Sequence, residues 1–375
     1  MLPQYHDWIR AALAAMTAFL VAFLMTPPVK RFAEHVGAID VPKDGRRVHD
    51  HPIPRMGGLA IFMGFVLSVL LFVNMSTPVM GMLLGAVIIA VMGAVDDIIS
   101  LKPLVKLAGQ IVAAVVAIRC GLVFDTISNP NFLSPDAFIP IGSLSVPLTL
   151  LWIVGCTNAV NLIDGLDGLA VGVSAISSLT MFVASIYVAD TVVSILLAAL
   201  VGACLGFMPY NLNPAKIFMG DVGSQMLGFI LSTVSILGLF KFHAIISFIV
   251  PVLALAVPLA DTTFAFFRRI AHGQSPFHAD RGHLHHRLLA MGMDQKQAVA
   301  VIYGISALLG LVAVLLTGNS LPLRVACLVL ALLVSIVVWL FVFRHNTHLH
   351  APRPMEEEEE AQLELEHERE QTSEE

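Results

Sequence analysis

Two adjacent carboxylates, Asp96 and Asp97, stand at the end of an apolar stretch of this sequence. Such a pair can hold a divalent cation between phosphates, or it can divide the work so that one carboxyl keeps a proton or acts as a base. Acidic side chains at the C-terminal end of a helix oppose the helix macrodipole, so a role as mere solvated charges is the weaker interpretation. We therefore predict that both are catalytic and that Asp97 is also a candidate metal ligand.

Four polar residues further along the chain are spaced by three positions: Asn158, Asn161, Asp164 and Asp167. This spacing places them along one stripe of a helix or helical turn. Two amides and two carboxylates on one stripe suit a nucleotide, sugar hydroxyls or the water shell of Mg²⁺. The alternative is a polar helix end that turns into a loop. We predict that the two carboxylates are catalytic and that the two amides bind substrate, with Asn161 also near the metal.

Asp221 lies in the segment FMGDVGS, where an apolar stretch begins. A carboxylate in this place could simply cap a helix, because free N–H groups and the helix dipole favour it there. The glycines on either side and the aromatic Phe218 favour a metal–phosphate site instead, with Asp221 as metal ligand. Phe218 is a candidate platform for a base, although ordinary packing would also explain it.

Histidine and arginine are concentrated in a later loop, at His278, Arg281, His283, His285, His286 and Arg287. Closely spaced histidines could bind Zn²⁺, but the stretch has neither a Cys partner nor an HExxH pattern. Arg and His together suit a pyrophosphate or a sugar phosphate better. A metal site and a plain basic surface loop remain the alternatives. Weaker candidates stand in an earlier loop, at His49, Asp50, His51 and Arg55.

The composition decides which class of protein must position these groups. Of the 375 residues, 57% are hydrophobic and 13% are charged, and the mean hydropathy is +0.84. These values exclude a water-soluble enzyme, a disordered chain and a disulfide scaffold. The net charge of −6 is misleading, because residues 356–375 hold 11 acidic residues and one Arg, so the rest of the chain is slightly basic. The sequence predicts a polytopic membrane domain over residues 1–350 and a disordered acidic tail over 351–375.

The apolar stretches predict an all-α membrane fold with eleven spans, since a bilayer needs about 20 mainly apolar residues per helix. The first stretch is too long for a removable signal peptide and is predicted to be a retained helix. The longest outer connection, at 124–143, is predicted to hold a small hairpin. The eleven predicted spans are 8–29, 57–74, 79–95, 104–123, 144–160, 168–188, 191–209, 222–240, 244–267, 298–316 and 322–343.

Lys and Arg residues give the direction of these spans, because cytoplasmic loops carry their excess. With the N-terminus outside and the C-terminus in the cytoplasm, 17 of the 21 Lys and Arg residues fall inside. All the polar clusters then lie at the cytoplasmic face. Carboxylates close to lipid are costly and mark functional sites, so we predict an active site at this interface. The five clusters are 37–58, 95–106, 157–168, 210–224 and 267–288.

At these clusters the sequence resembles the polyprenyl-phosphate N-acetylhexosamine-1-phosphate transferase family. The resemblance runs from about residue 37 to 288, through the DD pair, NAVNLIDGLDG, FMGDVGS and RGHLHHRL in order. The His-x-His-His form is similar to the bacterial branch that uses UDP-GlcNAc and undecaprenyl phosphate. The branch that acts on UDP-MurNAc-pentapeptide usually has three consecutive His, whereas Leu284 interrupts them here. That branch therefore takes second place.

The resemblance implies a role for each candidate residue. Asp221 would bind Mg²⁺, Asn161 would help to hold the Mg²⁺-pyrophosphate, and Asp96 or Asp97 would deprotonate or orient the lipid phosphate. Mn²⁺ is expected to be able to substitute for Mg²⁺ as the cofactor. The other implied roles are uridine or metal placement for Asp164 and Asp167 and a place near the uracil for Asn211 and Phe218. Contact with the pyrophosphate and the sugar is implied for Arg281, His283, His285 and His286, with His283 also predicted to be catalytic. Contact with the lipid phosphate is implied for Lys102 and Lys106.

The implied reaction transfers GlcNAc 1-phosphate from UDP-GlcNAc to undecaprenyl phosphate and releases UMP. The expected location is the bacterial cytoplasmic membrane, with membrane lipid and a second copy of the chain as partners and no nucleic acid. Direct attack by the lipid phosphate is favoured over a phosphoenzyme at Asp96. The rivals are another UDP-N-acetylhexosamine, the muramoyl-pentapeptide reaction and a secondary transporter, which would need charges in broken helices near mid-membrane. A CDP-alcohol phosphatidyltransferase is disfavoured, because no AR follows Asp164 and Gly165.

Overall fold

The computed structural model describes residues 5–41, 51–128, 138–188, 191–238, 245–271, 283–317 and 320–346. Within these ranges the chain is helical apart from two short hairpins and one 3-10 turn, as predicted for an all-α membrane fold. The helices are α1 (Tyr5–His35), α2 (Gly58–Phe72), α3 (Thr77–Ile99), α4 (Pro103–Arg119), α5 (Ser145–Leu162), α6 (Leu169–Val188), α7 (Thr191–Asn211), α8 (Gly220–Gly238), α9 (Ile245–Ala254), α10 (Ala256–Ala271), α11 (Leu284–Ala290), α12 (Gln295–Thr317) and α13 (Leu321–Asn346).

Eight of the described helices are long and apolar enough to cross a membrane. They are α1, α3, α5, α6, α7, α8, α12 and α13. The predicted second and fourth spans are helices of 15 and 17 residues, α2 and α4. The acidic tail predicted over 351–375 lies outside the described residues.

The ninth predicted span is not one helix, because it is broken at Leu255 between α9 and α10. Pro258 has no N–H group, so it cannot donate to the carbonyl oxygen of Ala254 one turn earlier. The Ser177 hydroxyl of α6 donates to that oxygen instead. A buried carbonyl freed by proline is thus satisfied from a neighbouring helix, as a membrane interior requires. Hydropathy alone could not reveal the break.

Helix α8 lies at the centre of the bundle, where almost all of its residues are buried. It packs against α2, α3, α5, α6 and α7. Its approach to α2 is very close, since a Cβ on Gly58 would lie 2.1 Å from the Cα of Gly223. Small residues at such crossings let helix backbones touch in a membrane protein, where packing rather than the hydrophobic effect holds helices together. The N-terminal end of α8 is therefore held rigidly.

Two antiparallel hairpins flank the helices. Strands β1 (Ile39–Asp40) and β2 (Ile53–Pro54) pair before α2, and strands β3 (Thr126–Ser128) and β4 (Phe138–Pro140) pair before α5. The second pair confirms the hairpin predicted within 124–143. The first pair continues into the α7–α8 loop, because the Phe218 N–H donates to the Pro54 carbonyl at 2.8 Å. This contact fixes the FMGD segment against the start of α2.

Candidate active site

A cavity of about 420 Å³ opens where α5 and α7 end and α8 begins. Four separate segments form its wall together with Gln295, and these four belong to four of the five predicted polar clusters. The wall includes Asp40, His51, Ile53 and Arg55 from the first hairpin, Asn161, Asp164, Gly165, Leu166 and Asp167 from the α5–α6 connection, Asn211, Asn213, Pro214, Ala215, Phe218, Gly220 and Asp221 from the α7–α8 region, and His285, His286 and Gln295 from α11 and α12.

Lys106 joins two carboxylates beside this cavity, whose wall includes Asp221 but not Asp96, Asp97 or Lys106. Its Nζ atom lies 2.5 Å from Asp96 Oδ2 and also contacts Asp221 Oδ2. The three side chains come from α4, α3 and α8, so one ammonium ties together three helices. Asp96 also accepts the Leu101 N–H at 2.6 Å. Buried charges need such pairing, because desolvation of an unpaired one is expensive.

Asp97 points in a different direction from Asp96 and caps α8. Its two carboxylate oxygens accept the N–H groups of Asp221 at 3.0 Å and Val222 at 3.3 Å. These groups belong to the first turn of a helix, where backbone donors lack partners within the helix. Arg55 Nε lies 3.8 Å from Asp97, whose side chain has no exposed surface. The capping considered for Asp221 is thus done by Asp97, and Asp221 is left to face the cavity.

Asn161 and Asn158 lie on the same stripe of α5 but have different hydrogen-bond partners. Asn161 donates to Asp221 Oδ1 at 2.9 Å and to Ser224 Oγ at 2.8 Å, and it lines the cavity. Asn158 lies deeper and donates to Gln110 Oε1 at 2.6 Å. The cavity wall does not include Asn158.

Gln110 and Gln225 extend this polar network inside the bundle, and the sequence analysis missed both. Gln110 donates to Gln225 Oε1 at 2.9 Å, and Gln225 donates to Asp221 Oδ2 at 3.2 Å. Both amides are almost fully buried. The available signal was their presence inside predicted spans, where a polar side chain is costly and needs a reason.

Asp164 and Asp167 occupy the turn between α5 and α6. Burial raises the pKa of Asp164 to about 8, and the negative charges of Asp221 and Asp97 add to the effect. Asp167 has a structural partner, since its Oδ2 accepts the Asn213 side chain and the Ala215 N–H, both at 3.0 Å. Asp164 therefore faces other carboxylates, whereas Asp167 anchors the α7–α8 loop.

The same loop is tied at two further points. Asn213 also donates to Gln295 Oε1 at 2.7 Å, which connects the loop to the start of α12. Asn211 is buried and donates to the Ile217 carbonyl at 3.0 Å. Phe218 lines the cavity between these ties and the first hairpin. Asn213 and Gln295 are amides without a patterned spacing, so no sequence signal marked them.

Three histidines form a row beside the α5–α6 turn, where a Cβ on Gly165 would lie 2.4 Å from His285 Nε2. The rings of His283 and His285 are stacked with centroids 5.9 Å apart, and those of His285 and His286 are 4.3 Å apart. Burial lowers the pKa of His285 to about 4, helped by the charges that His286 and His283 carry when protonated. His285 is therefore neutral near pH 7. His285 and His286 line the cavity, whereas His283 does not.

The remaining predicted residues lie apart from the cavity or outside the described ranges. Lys102 is exposed and precedes α4. Arg281 lies outside the described residues, as do His49 and Asp50. Arg55 and His51, which the sequence marked as weaker candidates, line the cavity. The structure thus brings Asn161, Asp164, Asp167, Asn211, Phe218, Asp221, His285 and His286 together at one cavity.

The oxygen donors at this cavity fit Mg²⁺ better than a metal that needs a closed protein cage. Among the described residues, no three His, Cys, Asp or Glu side chains surround one point. Mg²⁺ does not require such a set, because it keeps several waters and binds through one or two carboxylates plus substrate phosphates. Asp221, Asn161 and Asp164 present carboxylate and amide groups to the cavity. The residues present therefore fit this ion.

Residues 79–239 match the family described as "Glycosyl transferase family 4". The chain is 42% identical over 313 residues to the "Probable undecaprenyl-phosphate N-acetylglucosaminyl 1-phosphate transferase" of Bacillus subtilis (strain 168), covering 83% of this chain and 86% of that one. It is 36% identical over 332 residues to the "Decaprenyl-phosphate N-acetylglucosaminephosphotransferase" of Mycobacterium tuberculosis (strain ATCC 25618 / H37Rv), covering 78% and 79%. It is 30% identical over 328 residues to the "Phospho-N-acetylmuramoyl-pentapeptide-transferase" of Staphylococcus epidermidis (strain ATCC 12228 / FDA PCI 1200), covering 81% and 97%.

Proposed function

Because the chain belongs to glycosyl transferase family 4 and is a phosphoglycosyl transferase, we propose that it transfers GlcNAc 1-phosphate from UDP-GlcNAc to undecaprenyl phosphate. One observation carries the proposal: carboxylates and histidines from distant segments line one cavity at the ends of apolar helices. The higher identity to relatives named for GlcNAc 1-phosphate transfer than to one named for the muramoyl pentapeptide supports the choice of sugar.

The site lies where both substrates can reach it. Undecaprenyl phosphate carries a long apolar chain that stays in the bilayer, whereas a UDP-sugar is dissolved in the cytoplasm. We propose eleven membrane crossings, in which α9 and α10 together make one crossing and α2 and α4 cross although they are short. The N-terminus is then outside and the cavity faces the cytoplasm of a bacterial cell, on the inner side of its cytoplasmic membrane.

The proposed chemistry is direct phosphoryl transfer. An oxygen of the lipid phosphate attacks the β-phosphorus of UDP-GlcNAc, the bond from that phosphorus to the bridging oxygen breaks, and UMP leaves with that oxygen. Such reactions depend mainly on positioning and on neutralising the charge of the phosphates. Mg²⁺, held by Asp221 with Asn161 and Asp164, supplies charge neutralisation when it is bound.

The chain's own residues do the rest of the positioning. Lys106 holds the Asp221 carboxylate towards α3 and adds a positive charge next to the phosphates. Asp97 keeps the start of α8 in place, and Asp96 receives or orients the acceptor phosphate. The proposed contacts with the sugar and the diphosphate come from His285 and His286 in the cavity wall and from Arg281 and His283, which precede them in the sequence. The proposed contacts near the nucleoside come from Asn211, Phe218 and Asp167.

An assay of UMP release tests this function directly. Purified protein in detergent with undecaprenyl phosphate, Mg²⁺ and UDP-GlcNAc is expected to release one UMP for each lipid-linked GlcNAc 1-phosphate formed. Parallel reactions contain UDP-GalNAc or UDP-MurNAc-pentapeptide, and the Asp221→Asn variant serves as the inactive control. No UMP from UDP-GlcNAc, together with turnover of the pentapeptide nucleotide, would replace the proposed reaction with the muramoyl one.

Topology gives a second test. Reporter fusions after Phe72 and after Tyr187 are expected to report the outer side, and a fusion after Arg269 the cytoplasm. The reversed pattern would separate the cavity from the pool of nucleotide sugars and would contradict the proposal. We also propose that the product enters cell-surface polysaccharide synthesis and that the protein forms a homodimer.

A further inference from the structure

Asp261 is a buried carboxylate that the proposed reaction does not use. It lies on α10, six residues after the break at Leu255, and its side chain is 8% exposed. It is not part of the wall of the 420 Å³ cavity. A carboxylate inside a membrane segment is costly unless its partners repay the desolvation. Its partners therefore indicate why it is there.

Both oxygens of Asp261 hold the beginning of α11. Oδ1 accepts the Leu284 N–H at 2.8 Å, and Oδ2 lies 2.9 Å from His283 Nδ1. One oxygen thus binds the backbone of the first residue of the helix, and the other binds the ring of the residue before it. Together they fix both the place and the rotation of this short helix.

The contact between Asp261 and His283 affects the cavity through the histidine row, formed by His283, His285 and His286. His283 stacks on His285 with only 7° between the ring planes, and His285 in turn contacts His286. The His285 ring is also confined from the other side, because a Cβ on Gly165 would lie 2.4 Å from its Nε2 atom. A rotation of α11 would therefore move both cavity-lining histidines away from the α5–α6 turn.

We propose that Asp261 is a positioning residue for the transfer reaction: it holds His283 and the first turn of α11 so that His285 and His286 face the phosphates of the nucleotide sugar. This inference rests on the proposed function. Asp261 touches no substrate in this scheme, and it acts through the histidines. Its value to the reaction is orientation, because a displacement of about 1 Å in a group that positions a substrate can cost about 100-fold in rate.

Asp261 could have a different role, because it also lines a second cavity. The residue also borders an apolar cavity of about 360 Å³ between α10, α11 and α12, together with Arg268 and Arg287. If Asp261 served a lipid phosphate in that cavity, its replacement would raise KM for undecaprenyl phosphate. If it positions the histidines, its replacement lowers kcat and leaves that KM nearly unchanged. The two roles therefore differ in a measurable way.

The test compares kcat and KM in Asp261→Asn, Asp261→Glu and His283→Ala with the wild type. We expect Asp261→Asn to lower kcat about 10- to 100-fold with KM for undecaprenyl phosphate within about threefold, a size typical of residues that orient functional ligands. Asp261→Glu keeps a carboxylate and is expected to retain more activity than the Asn variant. The double variant Asp261→Asn/His283→Ala is expected to be no slower than His283→Ala, because both changes break the same contact, that between Asp261 Oδ2 and His283 Nδ1.

Asp294→Asn is the matched control. Asp294 also accepts a helix N–H, that of Gln297 at 2.7 Å, but it caps α12 and has no contact with the histidine row. We expect its kcat to equal that of the wild type. Binding of UMP and the thermal midpoint, measured on every variant, identify any variant that fails to fold, and the Glu variant then carries the comparison.

Three outcomes would overturn the inference: wild-type kcat in Asp261→Asn, fully multiplicative losses in the double variant, or a change confined to KM for the lipid. Failure of the proposed function looks different, because the wild type itself then releases no UMP from UDP-GlcNAc. In that case the same variants are compared with whichever nucleotide sugar the wild type does use, and the ratios still decide the role of Asp261.

Discussion

Two polar clusters meet at the cavity, and they are built in opposite ways. The carboxylate cluster, formed by Asp96, Asp97, Asp221 and Lys106, lies on α3, α4 and α8 inside the bundle. The histidine row begins at His283 and continues into α11, a helix of seven residues that follows a segment outside the described ranges. The first is held by deep burial of α8, and the start of the second is held by the carboxylate of Asp261.

The two clusters also differ in charge. The carboxylate cluster gathers three acidic side chains around Lys106, with Arg55 Nε 3.8 Å from Asp97. Its carboxylate oxygens suit a cation and a metal-bound diphosphate. His285 in the row is neutral near pH 7, so it acts through hydrogen bonds rather than charge. We therefore expect changes in the first cluster to destroy the reaction and changes in the second to weaken it.

The largest effect is expected for Asp221→Asn. The carboxylate contacts Lys106, Asn161 and Gln225 and faces the cavity, so an amide would remove the charge that holds the cation. We expect a loss of at least about 1000-fold in kcat, comparable to the removal of a principal electrostatic group in other enzymes. UMP release measures it, with the thermal midpoint close to that of the wild type. Near-normal turnover would remove Asp221 from the metal role.

A large loss is also expected for Gly220→Ala. Gly220 has φ of +72°, and a Cβ there would lie 2.3 Å from Asp97 Oδ2, so the cap of α8 must shift. Such backbone strain costs about 1–3 kcal/mol, and the displaced Asp221 lowers kcat about 100-fold. Gly155→Ala is the control, because no atom beyond the backbone of its own helix lies within 4 Å of its Cβ position. Equal activity in both variants would show that the cap does not position Asp221.

A smaller effect is expected in the amide network behind Asp221. Gln225→Leu removes the acceptor that one N–H of the buried Gln110 amide uses at 2.9 Å, while Gln110 keeps its bonds with Asn158. A buried polar group without a partner costs about 1–3 kcal/mol, so the thermal midpoint should fall, and we expect kcat to fall about 10-fold. Adding Gln110→Leu to the Gln225→Leu variant should lower kcat and the thermal midpoint little further, because both changes break the same network. Two independent, additive losses would contradict the network.

The smallest expected effect is a pH dependence of stability from the histidine row. His285 has a pKa of about 4 in the folded protein, below the ordinary histidine value of 6.5, so the unfolded chain binds the proton first as the pH falls. The stability it provides is complete above pH 6.5 and is lost towards pH 4. Linkage gives about 1 kcal/mol between pH 7.5 and pH 5.5. Thermal midpoints of the wild type should fall more steeply than those of His285→Gln, and parallel curves would refute the shift.

Much of the site could be predicted from the sequence, because its signals are local. A run of apolar residues identifies a membrane helix, and Lys and Arg in short loops predict its direction. Carboxylates at the ends of such runs, as at Asp96 and Asp221, are then candidates for a functional site. The sequence could also predict the hairpin within 124–143, since turn residues stood between apolar pieces.

Only the tertiary structure decided which partner each polar group takes. Asn158 and Asn161 have the same type and lie on one stripe, yet one meets Gln110 and the other meets Asp221. Asp96 and Asp97 are neighbours, yet one pairs with Lys106 and the other caps α8. Helix rotation and crossing make these choices.

The physical reason is the distance along the chain between partners. Asp221 lies 115 positions from Lys106 and 60 from Asn161. Hydropathy and periodicity report on windows of about one helix, so they show that a polar residue must have a purpose without showing what it meets. The break at Leu255 and the grip of Asp261 on His283 belong to the same class, because each depends on a neighbouring helix that the local sequence does not contain.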